Sequence, residues 1–229
     1  MKIDPPRSVV FRRLQPNTFT VLTFLAALVG LLAPPPAAIG QKSPGQMAAN
    51  LTIFIVRHAQ KPTQGAGLAR EGVDRARAYV KYFQEQVKYD GQPIRWTFLF
   101  SSAESPESNR PFLTLQPLAQ AINLKISHQF KNKHFNDLVE ELRANQGHQF
   151  DNANVLICWH HGEIVDLASA LGATASNLPK SAHWPIKWKP KAYGWVLKIY
   201  YTADGSLDKQ HTEAVNEQLM PDDTMPLAK

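Results

Sequence analysis

The apolar residues of this chain fall into short runs that alternate between two kinds of spacing. Residues 51–56 form a continuous apolar, β-branched run, which is typical of a strand buried on both faces. From Val73 onward the apolar positions recur every three or four residues, at Ala76, Val80 and Phe83, which is the stripe of a helix that faces a core. The pattern therefore predicts a buried strand followed by an amphipathic helix.

The same alternation recurs along the rest of the chain. It predicts strands at 96–100, 124–127 and 155–159 and helices at 111–121, 135–144 and from 164 to about 171. Residues 194–201 alternate and are rich in aromatic and β-branched residues, which predicts a last strand at the edge of the sheet, and residues 204–229 are predicted as a C-terminal tail. Strands that alternate with helices predict the α/β class, here a three-layer α/β/α sandwich with a mostly parallel central sheet.

The first forty residues have a different character. Four basic residues precede the apolar run at 20–33, three prolines end that run, and small residues surround Ile39. Because the run is shorter than the roughly 20 residues of a membrane span, we interpret residues 1–40 as an export leader cleaved after about Gly40, with an uncleaved N-terminal anchor as the alternative. Either case predicts a periplasmic or extracellular domain at 51–203, behind a linker at 41–50.

The charge of the chain argues against a nucleic-acid partner. The net charge is +6, but without residues 1–40 it falls to +3, from 21 basic and 18 acidic residues. This excess is mild, and the basic residues form no stripe of the kind that follows a phosphate backbone. Cys158 is the single cysteine, so no intramolecular disulfide is expected.

Two polar clusters directly follow predicted strands. Arg57-His58 comes after the first strand, and His160-His161-Gly162-Glu163 comes after the strand at 155–159. In open α/β sheets, ligand sites form beyond the carboxyl ends of parallel strands, so we expect both clusters at one edge of the sheet. A neutral imidazole is a competent nucleophile toward phosphorus, and the planar guanidinium of Arg57 matches phosphate oxygens in pairs. The pattern indicates a site for a phosphoryl group.

The motifs resemble those of the histidine phosphatase superfamily, also called phosphoglycerate-mutase-like. They are Arg57-His58, the helix start from Leu68 to Gly72, Arg110 with Thr114 one turn later, and His161-Gly162 after a buried strand. The resemblance implies that the chain is a phosphoric ester hydrolase acting on a small phosphorylated substrate through a phosphohistidine at His58. It further implies that Arg57, Arg110 and His161 hold the phosphoryl group, and that neither metal nor cofactor takes part.

Three points stay open at the level of sequence. The acid that protonates the leaving group is Glu163, one of Asp137, Glu140 and Glu141, or none. Between the adjacent histidines we favour His161 over His160, because a glycine follows it and lets backbone approach a ligand closely. The alternative function is a non-catalytic domain of the same fold that binds phosphate or another anion without turnover.

Overall fold

The computed structural model describes residues 46–89 and 91–228. The predicted leader at residues 1–40 and the first part of the predicted linker lie outside the described residues. The strands are β1 Thr52–Arg57, β2 Lys88–Tyr89, β3 Gln92–Pro93, β4 Phe98–Ser101, β5 Ile126–Ser127, β6 Asn154–Trp159, β7 Trp195–Tyr200 and β8 Glu213–Asn216. The α-helices are α1 Arg70–Lys81, α2 Arg110–Ala121, α3 Phe135–Ala144 and α4 Ile164–Ala170. None of the helices in the described ranges has both the length and the apolar character needed to cross a bilayer.

The central sheet is mixed but mostly parallel, as the sequence predicts. Its strand order is β5-β4-β6-β1-β7-β8, and β2 and β3 form a separate hairpin. β1 pairs in parallel with β6, and β4 pairs in parallel with both β6 and β5. β7 runs antiparallel to β1 and β8 antiparallel to β7. The predicted α/β class with a mostly parallel sheet is therefore confirmed.

Helices cover both faces of this sheet. Along β1, Ile53 and Ile55 pack into one buried cluster, together with apolar residues of α3 and α4. Phe54 and Val56 point the other way, into a second cluster with residues of α1 and α2. Because successive side chains of a strand alternate between its faces, a continuous apolar run such as β1 can serve two helical layers at once.

The domain extends further at both ends than the sequence predicts. Met47 and Ala48, within the predicted linker, are buried in the core. β8 lies inside the predicted tail at 204–229 and pairs with β7, so the prediction that residues 194–201 form an edge strand was also wrong. β8 is short and buries only one apolar side chain, Ala214, among its four residues. Such a strand carries no hydrophobic period that a sequence reading could detect.

A buried ion cluster fastens the C-terminal segment to α1. Arg75 is fully buried and donates hydrogen bonds to the carboxylates of Glu217 and Asp223, and its Nε donates to Gln60 Oε1 at 3.1 Å. Tyr79 Oη also donates to Glu217, at 3.0 Å. One guanidinium cannot neutralise two carboxylates, and burial, reinforced by the charge of Asp223, raises the pKa of Glu217 to about 8.

The close approach of α1 to the segment after β1 yields a first prediction. A Cβ on Gly72 would lie 2.4 Å from the Gln60 carbonyl oxygen and 3.0 Å from the Gln60 backbone nitrogen. Backbone atoms cannot move to relieve such a clash as easily as the end of a flexible side chain can. We expect Gly72→Ala to lower the free energy of unfolding by about 1–2 kcal/mol, because overpacking costs more than the roughly 1 kcal/mol of helix propensity that alanine adds. The melting temperature should fall by roughly 3–8 °C.

Gly67→Ala is the matched control for Gly72→Ala. A Cβ at Gly67 would find its nearest neighbour, Leu113 Cδ1, at 3.9 Å, which is an ordinary contact. Equal melting temperatures for the two variants would contradict the assignment of Gly72 as a packing constraint.

The ion cluster yields a second prediction, on the pH dependence of stability. The folded-state pKa of Glu217, about 8, lies above its ordinary value of 4.5. Its contribution to the free energy of unfolding is therefore fully present below pH 4.5 and is lost as the pH rises through 8. Relative to Glu217→Gln, the native chain should lose on the order of 3 kcal/mol between pH 5 and pH 9, measured by urea denaturation at each pH. Parallel pH profiles for the two proteins would refute this.

Candidate active site

The two polar clusters meet at the carboxyl ends of β1 and β6. The strands are adjacent and parallel, with Arg57 opposite Trp159, so that His58 and His160 are the next residues on each. The His58 N–H donates to the Trp159 carbonyl at 3.0 Å, which continues the ladder by one bond. The rings of His58 and His160 are 5.0 Å apart between centroids, at an interplanar angle of 65°. Strand register thus sets these two imidazoles edge to face.

His160, rather than the favoured His161, is the histidine whose ring contacts His58. Burial and the charge of Arg110 lower the pKa of His160 to about 4. His161 is half-buried, and burial together with the charge of Arg57 lowers its pKa as well. The preference for His161 rested on the glycine that follows it, whereas the observed ring contact follows from pairing register. Both histidines lie at the site, and their roles stay predictions.

The surroundings of His58 determine which of its ring nitrogens is reactive. His58 is buried, and its Nδ1 lies 2.7 Å from the Ala59 carbonyl oxygen. A carbonyl only accepts hydrogen bonds, so Nδ1 carries the proton of the neutral ring and Nε2 keeps its lone pair. Burial, with a smaller effect from the charge of Arg57, lowers the pKa of His58 to about 2. The ring is therefore neutral, with one nucleophilic nitrogen, throughout the physiological pH range.

Arg57 is held by the segment that precedes β7. Its Nη1 donates to the carbonyl oxygens of Pro190, at 2.5 Å, and Ala192, at 3.1 Å. Its Cζ lies 3.8 Å from the ring centroid of Tyr193. Burial lowers the pKa of Arg57 to about 10, so it stays charged at neutral pH. Its Nε is buried and has no hydrogen-bond partner among the described residues, which leaves a donor for an anion.

Thr114 links the start of α2 to the segment after β1. Its Oγ1 accepts from the Ala59 N–H at 2.9 Å and donates to the Arg110 carbonyl at 2.8 Å. Arg110 begins α2, and its charge contributes to lowering the pKa of both His58 and His160. The spacing of Arg110 and Thr114, on which the sequence prediction depended, thus corresponds to a contact between α2 and the nucleophile segment. In the described part of the chain, Arg110 Nε is also buried without a partner.

A depression of about 580 Å³ opens beside these residues. Arg110 and His160 line it, together with residues 103–108 and 131–134. Its rim carries acidic side chains on the first of these segments and basic ones on the second. The site therefore continues into a polar space in which the organic part of a substrate could lie.

Among the carboxylates that the sequence nominates as the acid, only Glu163 contacts the site. It is buried, accepts a hydrogen bond from Asn132 Nδ2 at 2.9 Å and forms an ion pair with Lys133. Its charge partly opposes the lowering of the pKa of His160 and His161. The other candidates lie on α3 and have partners of their own on the surface: Asp137 and Glu140 are exposed, and Glu141 is half-buried. Both oxygens of Glu163 are thus engaged, by Asn132 and Lys133.

The structure also places the single cysteine of the sequence. Cys158 is fully buried within β6, where burial raises the pKa of its thiol, so it is a core residue. Within residues 46–89 and 91–228, no three His, Cys, Asp or Glu side chains are grouped so as to hold a metal ion.

Tyr193 is the site residue that the sequence analysis missed. Its ring lies 6.3 Å from that of His58 between centroids, besides its contact with Arg57. The residue precedes a strand that runs antiparallel to β1, so the rule that places sites at carboxyl ends of parallel strands does not reach it. In the sequence, a tyrosine that follows lysines at 187, 189 and 191 is typical of a solvated loop, so no local pattern marks it as a site residue.

Comparisons with known proteins report likeness to solved structures. No protein-family model and no curated protein sequence matches the chain. It is similar to phosphoglycerate mutase from Bacillus anthracis, with 14% identity, a TM-score of 0.48, and coverage of 74% of this chain and 94% of that one. It is similar to the protein histidine phosphatase SixA complexed with tungstate, with 15% identity, a TM-score of 0.47, and coverage of 72% and 97%. It is also similar to a mycobacterial glucosyl-3-phosphoglycerate phosphatase in complex with inorganic phosphate, with 15% identity, a TM-score of 0.42, and coverage of 72% of this chain and 94% of that one.

The tautomer of His58 yields a third prediction. In long-range ¹H–¹⁵N spectra of the ¹⁵N-histidine-labelled chain, the His58 ring should show the pattern of a proton on Nδ1 and a bare Nε2. It should keep that pattern from pH 8 to pH 5, because its pKa is about 2. His58→Gln assigns the signal by its disappearance. A His58 ring that takes up a second proton near the ordinary value of 6.5 would contradict the prediction.

Proposed function

We propose that this chain is a phosphatase of the histidine phosphatase superfamily, which hydrolyses small phosphomonoesters or related phosphoryl compounds through a phosphohistidine at His58. The observation that carries the proposal is the state of His58. Its Nδ1 is committed to the Ala59 carbonyl, and its pKa is about 2, so Nε2 offers a lone pair at any physiological pH. An imidazole held in this way is prepared for attack on phosphorus.

The residues around His58 favour an anionic substrate. Arg57 and Arg110 contribute two permanent charges, and each has a buried Nε without a partner in the described ranges. The neighbouring imidazoles of His160 and His161 can donate hydrogen bonds to phosphoryl oxygens. The nearby carboxylate of Glu163 is engaged by Asn132 and Lys133, and the cation of Lys133 offsets its charge. Such fixed positive groups stabilise the charge on the equatorial oxygens during transfer.

The proposed reaction has two steps. In the first, His58 Nε2 bonds to phosphorus while the ester P–O bond breaks, and the leaving oxygen departs with the bonding pair and takes up a proton. In the second, water attacks phosphorus, the P–N bond breaks back to the neutral imidazole, and a proton is released. Phosphate and the alcohol are the products, with no net change in the protein.

The proposal extends to the location of the chain. We propose that residues 1–40 export it, as a cleaved leader or as an anchor, so that its substrate is met outside the cytoplasm. The partner is a small phosphorylated molecule rather than nucleic acid, as the mild net charge suggests.

A nucleophile variant tests the proposal and provides the fourth prediction. With an aryl phosphate, whose leaving group needs little protonation, His58→Ala should lower kcat/KM by at least about 10³-fold, because the proposed nucleophile is removed. Acid quenching should leave label on the native chain in an acid-labile, base-stable form that His58→Ala lacks. His211→Ala is the control, since His211 is exposed, contacts Asp208 and Tyr89, and should leave turnover unchanged.

Inhibitors complete that test. Vanadate should block turnover, whereas a chelator should not change it. A native chain that binds phosphate but turns over no faster than His58→Ala would replace the proposal by the non-catalytic anion-binding function. Activity lost to the chelator would replace it by metal-dependent hydrolysis.

A further inference from the structure

Tyr193 occupies a place that the sheet fixes from two sides. β7 is antiparallel to β1 with Val196 opposite Val56, so the residues before β7 lie at the carboxyl end of β1, beside His58. Gly194 packs against the ion cluster so closely that a Cβ there would lie 2.2 Å from Asp223 Cγ. Its carbonyl accepts from the Glu217 N–H at 2.9 Å. The backbone that carries Tyr193 is therefore anchored, and its ring is delivered to the site by paired structure.

The ring and two neighbouring carbonyls form what we call the arginine seat, defined by Pro190, Ala192 and Tyr193. The carbonyls take both hydrogen bonds of Arg57 Nη1, and the Tyr193 ring covers the guanidinium with Cζ 3.8 Å from its centroid. One nitrogen and one face of the guanidinium are thus fixed. The remainder of the group, including the Nε that has no partner among the described residues, is left for an anion.

The chemistry of the seat distinguishes it from an ordinary ion pair. A carboxylate would hold Arg57 equally firmly, but it would cancel the charge that the phosphoryl group requires. Carbonyl dipoles and an aromatic face hold a guanidinium while its full positive charge remains. A long side chain fixed before substrate arrives loses less conformational freedom on binding, which strengthens binding of the anion.

We infer that Tyr193 is a positioning residue, whose ring face holds Arg57 in the orientation that binds the phosphoryl group. The inference rests on the proposed function for its reaction, but its first readout is binding of inorganic phosphate, which needs no turnover. The role belongs to the ring and not to the hydroxyl, so phenylalanine should replace tyrosine and leucine should not.

The experiment, which gives the fifth prediction, compares Tyr193→Phe and Tyr193→Leu in the full-length chain. Calorimetric titration with inorganic phosphate should give a Kd within about 3-fold of native for Tyr193→Phe and roughly 10-fold weaker for Tyr193→Leu, as expected for loss of a partly desolvated cation–π contact. With an aryl phosphate, the same ranking should appear in kcat/KM. Tyr89→Leu is the control, because Tyr89 is exposed and stacks on Tyr200, which pairs with the first residue of β1 at the opposite edge.

A double-mutant comparison separates positioning from folding. If Tyr193 acts through Arg57, adding Tyr193→Leu to Arg57→Ala should weaken phosphate binding by less than about 2-fold beyond Arg57→Ala alone. A full 10-fold effect in that background, or native affinity in Tyr193→Leu itself, would overturn the inference. So would a Tyr193→Phe variant that binds phosphate normally but turns over slowly, since the hydroxyl would then be the working group.

Binding and turnover fail independently in this design. If Tyr193→Leu binds phosphate more weakly than Tyr193→Phe and no turnover is detected, the arginine seat is supported and the phosphatase proposal is rejected. If turnover requires His58 but is the same in both Tyr193 variants as in the native chain, the phosphatase proposal is supported and the arginine seat is rejected.

Discussion

The parallel pairing of β1 with β6 is the constraint on which the site depends. The register that sets Arg57 opposite Trp159 sets His58 beside His160 one residue later, where the His58 N–H still reaches the Trp159 carbonyl. This ladder joins residues about a hundred positions apart, and a slip of one residue would turn the side chains of the shifted strand to the other face. Side chains of both strands pack alternately into two helical layers, so packing of the core and placement of the imidazoles depend on the same register.

Burial then gives the site its charge distribution. His58 is kept neutral because a buried cation beside Arg57 and His160 would be costly, while Arg57 remains charged because even a lowered pKa of about 10 is far above neutrality. Uncharged carbonyls and an aromatic face hold the guanidinium, and the nearest candidate acid, Glu163, is engaged by Asn132 and Lys133. The result is that the charges of Arg57 and Arg110 lie near one nucleophilic nitrogen, without a carboxylate of the described residues hydrogen-bonded to Arg57.

Sequence reasoning succeeded where hydrophobic burial decides the structure. The helix predicted at 135–144 matches α3. The strand predicted at 51–56 is shifted by one residue from β1, and the strand predicted at 155–159 lacks only the first residue of β6. It failed where polar contacts decide: β8 has almost no apolar signal, and Glu217 and Asp223 are buried only because Arg75 is buried with them. Likewise, the choice between His160 and His161 depends on strand register, and Tyr193 is brought in by an antiparallel strand, neither of which a local motif encodes.

The C-terminal segment therefore belongs to the machinery that shapes the site rather than to a tail. The Arg75 guanidinium connects Glu217 and Asp223 to Gln60, two residues after His58, while Gly72 allows α1 to press on the Gln60 backbone. On the other side, Asp223 packs against Gly194, next to Tyr193. One buried cluster thus braces both the segment that carries the nucleophile and the segment that holds Arg57. Burial, reinforced by the charge of Asp223, raises the pKa of Glu217, so the stability of the cluster that braces both segments depends on pH through a group other than His58 and Arg57.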